Sequence, residues 1–176
     1  LYSNTTASDN TAVGYLSAYS NTTGNSISAF GRAALYSNTT GIDNTAVGRN
    51  ALSSNTTAQS NSAFGYYSLT SNTTGQYNTA YGSRSLQFNS TASNNTAVGY
   101  HSGYSNTTGT QNTFVGKASG YSNTTGNNTA FFGEDAGVNN TTGSYNVGLG
   151  SDALRSNTTA SSNTAVGYKS LYTNTT

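Results

Sequence analysis

Large apolar residues recur along this chain at one fixed interval. Val13, Phe30, Val47, Phe64, Tyr81, Val98, Val115, Phe132, Leu149 and Val166 stand 17 residues apart. Each is followed by a glycine: Gly14, Gly31, Gly48, Gly65, Gly82, Gly99, Gly116, Gly133, Gly150 and Gly167. The same interval of 17 separates the asparagines that open an Asn-Thr-Thr or Asn-Ser-Thr triplet, namely Asn4, Asn21, Asn38, Asn55, Asn72, Asn89, Asn106, Asn123, Asn140, Asn157 and Asn174. With that asparagine as phase 1, the apolar residue is phase 10 and the glycine phase 11. Phase 4 is always Gly or Ala, phase 14 always Ser or Ala, and phase 15 mostly Leu (Leu35, Leu52, Leu69, Leu86, Leu154, Leu171). Phase 7 is Asn except at Ile27 and Thr129, and no insertion or deletion breaks the register.

Seventeen residues are too few for a helical-hairpin repeat, and Gly, Thr, Asn and Ser are poor helix formers. Short runs of Thr, Val, Phe and Tyr between Gly and Asn read as strands and turns. The period therefore predicts an all-β parallel β-solenoid, or β-roll, with one 17-residue repeat per coil in a single array over residues 1–176. One strand is expected at phases 7–12 and a second at phases 14–17 running on to phase 3. Corners then fall at phases 4–6 and 13. About ten coils at a strand spacing of about 4.8 Å make a rod on the order of 50 Å long. The phase-10 residues are assigned to the structural core. The phase-11 glycines are structural, either because φ is positive there or because another backbone comes close.

A paired substitution links two further phases. Phase 15 changes from Leu to Gly at Gly103, Gly120 and Gly137, and in two of those repeats phase 9 changes from Ala to Phe, at Phe114 and Phe131. Large-to-small at one phase with small-to-large at another indicates one volume-limited space shared by both. Since side chains alternate along a strand, phase 10 then points the other way. The first strand is apolar on both faces, one lining the coil and the other meeting something else, most simply another copy of the chain. A thin coil buries little apolar surface per residue, which also favours lateral association.

Composition sharpens this picture. Asn, Thr, Ser and Gly supply 103 of 176 residues, and only 6% are charged, against about 25% in an average domain. Such chains are disordered by default; a strict repeat is the way out. The net charge is +1 and Cys is absent, so nothing points to a disulfide framework, a Cys-based metal site or a basic field for nucleic acid. No apolar run is long enough for a membrane span. The chain lacks a signal-peptide segment and begins without Met, as expected of a mature product or an excised portion. It starts Leu-Tyr-Ser-Asn-Thr-Thr and stops Leu-Tyr-Thr-Asn-Thr-Thr in the same phase, without a capping repeat. Uncapped solenoid ends predict more repeats beyond, or head-to-tail stacking into a filament.

No catalytic, cofactor-binding or metal-binding residue is assigned. His101 is the single histidine and sits at a variable phase. Glu134 and Asp135 are adjacent, which in a strand sends them to opposite faces, unsuited to paired acid/base work. Gly148-Leu149-Gly150 lacks the Lys and helix of a phosphate loop, and Asp9, Asp43 and Asp152 are isolated. The expectation is a protein that is not an enzyme.

The segments 10–15, 95–100 and 163–168 all read N-T-A-V-G-Y. This resembles the head repeats of trimeric autotransporter adhesins, of the type N-S-V-A-I-G-x-x-S. N-T-A-V-G-Y-K-S at residues 163–170 keeps the Asn, the A-aliphatic-G core and the later Ser. It is also similar to the N-T-A-x-G-Y-x-A-L-x-x-N-T-T-G arrays of bacterial and phage tail-fibre-like surface proteins. The likeness covers the whole chain and implies a left-handed parallel β-roll, often a homotrimer, displayed on a cell or virion surface. This repeat is longer than the adhesin repeat, and the sequence holds no coiled-coil stalk, membrane anchor or self-cleaving chaperone domain.

Every phase-1 Asn opens an N-glycosylation sequon, and Asn94, Asn127 and Asn139 bring the total to 14. The same asparagines fit an internal ladder, and the two readings exclude each other at any one residue. If phase 1 points inward, phase 2 is expected outward as an O-glycan candidate: Thr5, Thr22, Thr39, Thr56, Thr73, Thr107, Thr124, Thr141, Thr158 and Thr175. Tyrosines recur at phase 16 (Tyr2, Tyr19, Tyr36, Tyr104, Tyr121, Tyr172) and phase 12 (Tyr15, Tyr66, Tyr100, Tyr168). They either pack on their stacked neighbours or meet a sugar or partner. The leading expectation is an extracellular or cell-surface fibre or adhesin shaft, self-associating and glycosylated. The alternative is a glycan-binding adhesin head or phage tail-fibre segment that grips sugar through its tyrosines. A third reading is an ice-binding solenoid, weakened because N-T-T sets adjacent threonines on opposite faces.

Overall fold

A computed structural model describes residues 1–175. Ten three-residue strands form one parallel sheet: β1 (Thr11–Val13), β2 (Ser28–Phe30), β3 (Thr45–Val47), β4 (Ser62–Phe64), β5 (Thr79–Tyr81), β6 (Thr96–Val98), β7 (Thr113–Val115), β8 (Ala130–Phe132), β9 (Val147–Leu149) and β10 (Thr164–Val166). They pair in chain order, each residue facing the one 17 positions on, as in Ala46 with Ala63. The chain is a β-solenoid with one repeat per coil. It contains no helix among the described residues, hence none long and apolar enough to cross a membrane.

The strand is shorter than expected, covering phases 8–10, and the second expected strand is absent among the described residues. Phases 12–17 turn instead, closed by bonds such as the Asn38 amide donating to the Leu35 carbonyl at 3.2 Å. The reason is local. Phases 13 and 15 hold left-handed backbone in every coil, including Leu35 (φ 51°), Leu52 (50°) and Leu69 (49°), a conformation that no extended strand accepts. Coil-to-coil bonding nonetheless continues through the turns: the Ala33 amide donates to the Tyr15 carbonyl and the Leu35 amide to the Ala51 carbonyl, at 2.9 and 3.0 Å. Phase 6 is left-handed in every coil too, as at Asp9, Asp43 and Tyr77.

The core differs from the sequence assignment. Phase 9 turns inward, with Ala29, Ala46, Ala63, Ala80, Ala97, Phe114 and Phe131 wholly buried against the leucines of phase 15. Alternation then drives phase 10 outward. Val13, Phe30, Tyr81, Val98, Phe132, Leu149 and Val166 are exposed, from 37% at Val98 to 66% at Val166, and Val47, Phe64 and Val115 are half-buried. Phase 10 is thus an outer stripe, because leucines reaching in from the turn wall leave room for only a small residue opposite.

Where the leucine is missing, the ring takes its place. A Cβ on Gly103 would lie 2.6 Å from the Phe114 ring, and Cβ atoms on Gly120 and Gly137 would run into Phe114 and Phe131. The two rings stack at 6.0 Å. Phases 9 and 15 therefore share one space. Phe114→Ala is expected to cost about 3–5 kcal/mol through the cavity it opens. Phe114→Ala with Gly120→Leu restores the usual pair and should recover most of that loss in thermal melts. A double variant no more stable than Phe114→Ala would refute the shared space.

Nine of the ten phase-11 glycines, all but Gly167, meet both conditions raised from sequence. Gly65 has φ 139°, and a Cβ on it would sit 2.5 Å from the Gly82 carbonyl oxygen of the next coil.

Candidate functional site

The interior holds two asparagine ladders. From Asn38 to Asn157, each phase-1 Nδ2 donates to the preceding Asn Oδ1 at 2.7–3.1 Å. It also donates to the phase-4 carbonyl three residues on, at 2.9–3.2 Å. Phase-7 asparagines run alongside: Asn44 Oδ1 accepts from the Asn61 amide at 3.0 Å, while Asn61 Nδ2 donates to the Gly75 carbonyl at 2.9 Å. The phase-4 carbonyl thus takes bonds from both ladders, and a bulky phase-4 side chain would strike them: a Cβ on Gly75 falls 2.5 Å from Asn72 Oδ1.

This settles the geometry at the sequons. Asn21, Asn38, Asn55, Asn72, Asn89, Asn106, Asn123, Asn140 and Asn157 are buried, eight of them with both amide hydrogens donated, so a sugar on their Nδ2 does not fit. Asn4 is exposed and Asn174 half-buried, at either end of the ladder. Phase 2 does not simply point out either. Thr22, Thr39, Thr56, Thr73, Thr107 and Thr124 are half-buried, each hydroxyl donating to the phase-2 carbonyl of the next coil at 3.0–3.2 Å. Thr5 and Thr141 make the same bond. Thr158 and Thr175 are exposed. The exposed row is phase 3, with Thr23, Thr40, Thr57, Thr74, Thr108 and Thr125 among it. The turn after phase 1 rotates the pair so that both threonines lean outward, the first bonded along the rod.

Tyrosines of phase 16 stack along the coils: Tyr2 on Tyr19 at 5.0 Å, Tyr19 on Tyr36 at 5.5 Å, and Tyr104 on Tyr121 at 4.9 Å, all within 10° of parallel. Each of these rings has at least one face covered by its neighbour. At phase 12, Arg32 lies over Tyr15, Arg49 and Arg84 flank Tyr66, His101 stacks on Tyr100 at 3.9 Å, and Lys169 lies over Tyr168. Face-on stacking of a sugar, as the glycan-binding alternative needs, would compete with these contacts.

Charged groups are dispersed. Glu134 and Asp135 lie in a turn, not a strand; Glu134 accepts from Lys117 at 2.7 Å and Asp135 from Arg155 at 2.7 Å, the latter shared with Asp152. The two carboxylates hold the Arg155 guanidinium firmly in its charged form. Asp9 and Asp43 are exposed on separate coils, and no group of acidic, His or Cys side chains suited to a metal ion occurs among the described residues. Gly148 lies within β9, where a Cβ would come 3.1 Å from the Phe131 ring.

His101 packs among Tyr100, Tyr104 and Tyr121, and its Nε2 is shielded without a hydrogen-bond partner. Burial, aided by the Arg84 charge, pushes its pKa below the ordinary value. The folded chain therefore binds this proton less readily than the unfolded chain, and stability declines as pH falls below about 6.5. An NMR titration of His101 is expected to give a midpoint below that value, and His101→Ala to remove this part of the pH dependence.

Comparison with known protein families, curated proteins and solved structures gave no match. The ladders and outer faces themselves therefore carry the functional reading.

Proposed function

We propose that this chain is a structural shaft: a segment of an extracellular or cell-surface fibre, an adhesin shaft or a virion fibre, whose copies associate and whose exterior carries glycan. The observation that carries this reading is the phase-1 asparagine ladder, which links coil to coil along the array, with the phase-7 asparagines beside it except at Ile27 and Thr129. The phase-1 asparagine recurs in every repeat while mostly exposed phases such as 6 and 12 vary freely. That is the economy of a rod, in which each unit serves its neighbours and stiffness accumulates with number. Glycan belongs on exposed side chains such as Asn94, Asn139 or the phase-3 threonines, not on the buried ladder.

Two measurements test the reading. An antibody against the chain should decorate unpermeabilised source cells or virions along filaments, and labelling confined to the cell interior would overturn the placement. Intact mass of native material should exceed the polypeptide mass and fall on deglycosylation; a bare polypeptide mass would exclude the coat.

A further inference from the structure

We propose that the outer stripe of phase 10 is the surface on which a second copy of this chain packs side by side. The proposal deepens the shaft reading by naming the partner and the face, and it rests on that reading. The stripe combines two properties that surfaces seldom combine. It is exposed at seven of its ten positions and half-buried at Val47, Phe64 and Val115, and it is apolar in every full repeat: five valines, three phenylalanines, one tyrosine and one leucine. The mostly exposed phases 6 and 12 vary freely in polarity and charge over the same coils. The interior does not require large residues at phase 10, since phases 9 and 15 already fill it.

Continuity, area and charge select the partner. The ten side chains lie in register along one sheet, and neighbours touch, as Phe64 and Tyr81 do at 5.5 Å. With seven of the residues 37–66% exposed and three half-buried, the stripe offers on the order of 800 Å², which is the share one partner contributes to a standard interface and exceeds the apolar patch a monomer ordinarily shows. A partner must present a straight apolar ridge of comparable length at the spacing of the coils, and a second copy does so by construction. Phase 8, which shares this face, is Thr, Ser, Ala or Val, so phases 8 and 10 contain no charge for two copies to desolvate. Beside them, phase 12 supplies tyrosines with Arg32, Arg49 and Lys117, the aromatic and polar border typical of an interface.

Light scattering on the full chain tests this directly. The expected result is a mass of at least two chains at micromolar concentration. Val47→Lys with Val98→Lys should give single chains, while Thr40→Lys with Thr108→Lys, on the phase-3 face, should leave the mass unchanged. Should the valine-to-lysine variant fail to fold by circular dichroism, Val47→Thr with Val98→Thr keeps β-branched residues and is expected to raise the dissociation constant at least tenfold. A wild-type chain that is folded yet monomeric at 100 μM (roughly a hundredfold above a 1 μM dissociation constant), or stripe variants that associate as well as wild type, would overturn the interface. Neither result bears on surface labelling or on attached glycan, which test the shaft reading separately.

Discussion

Asn123→Leu is expected to lower stability by about 2–6 kcal/mol, although the side chains are similar in size and the site is wholly buried. Asn123 Nδ2 donates to Asn106 Oδ1 at 2.8 Å and to the Gly126 carbonyl at 3.1 Å, and its Oδ1 accepts from Asn140 Nδ2 at 2.8 Å. Leucine strands the Asn106 oxygen and an Asn140 N–H at a buried position, at about 1–3 kcal/mol for each orphaned group. The Gly126 carbonyl keeps its bond from Asn112 at 2.8 Å, so the loss stops at those two. Asn123→Asp tests the electrostatics of the same site. A carboxylate has no hydrogen to give and would face two oxygen acceptors, so burial and repulsion raise its folded-state pKa. Protonation restores one donor. The Asp variant should therefore be much weaker than wild type at pH 7 and regain part of the difference as pH falls towards about 4, where the unfolded carboxyl also protonates. Chemical denaturation at both pH values checks it; an Asp variant equally destabilised at each would contradict the ladder geometry.

The second large effect concerns the glycine column. Gly65→Ala should cost more than about 4 kcal/mol, a size reserved for a few mechanisms. The new Cβ meets the Gly82 carbonyl oxygen at 2.5 Å and its carbon at 2.6 Å, and no rotamer relieves a clash between backbones. Gly167→Ala serves as the internal control. Its φ of 119° also disfavours alanine, but nothing lies within 4 Å of the added carbon. It should show backbone strain alone, about 1–3 kcal/mol. The difference between the two thermal shifts isolates coil-to-coil contact; equal shifts would mean that conformation, not stacking, keeps the glycine.

Much of this was legible in the chain because a solenoid repeats one small problem. Strict spacing required parallel stacking in register, and the exchange of Leu for Gly beside Ala for Phe located the shared interior space. The missed second strand has a physical cause. Leucine at phase 15 reads as an ordinary strand residue, yet it sits at a left-handed φ that its packing against phase 9 offsets. A signal was present in Gly103, Gly120 and Gly137, whose φ of 57–60° matches that of the leucines they replace.

By itself the sequence determined the period, the fold class and the residue types that stack, because a register of 17 without insertion leaves one way to align identical side chains. Only the tertiary structure decided which way each of them faces. The turn after the strand brings leucine across the narrow coil, phase 9 takes the remaining volume, and alternation sends phase 10 to the outside. The same closure buries the phase-1 amides, since one hydrogen reaches the asparagine Oδ1 of the preceding coil and the other the phase-4 carbonyl of its own turn.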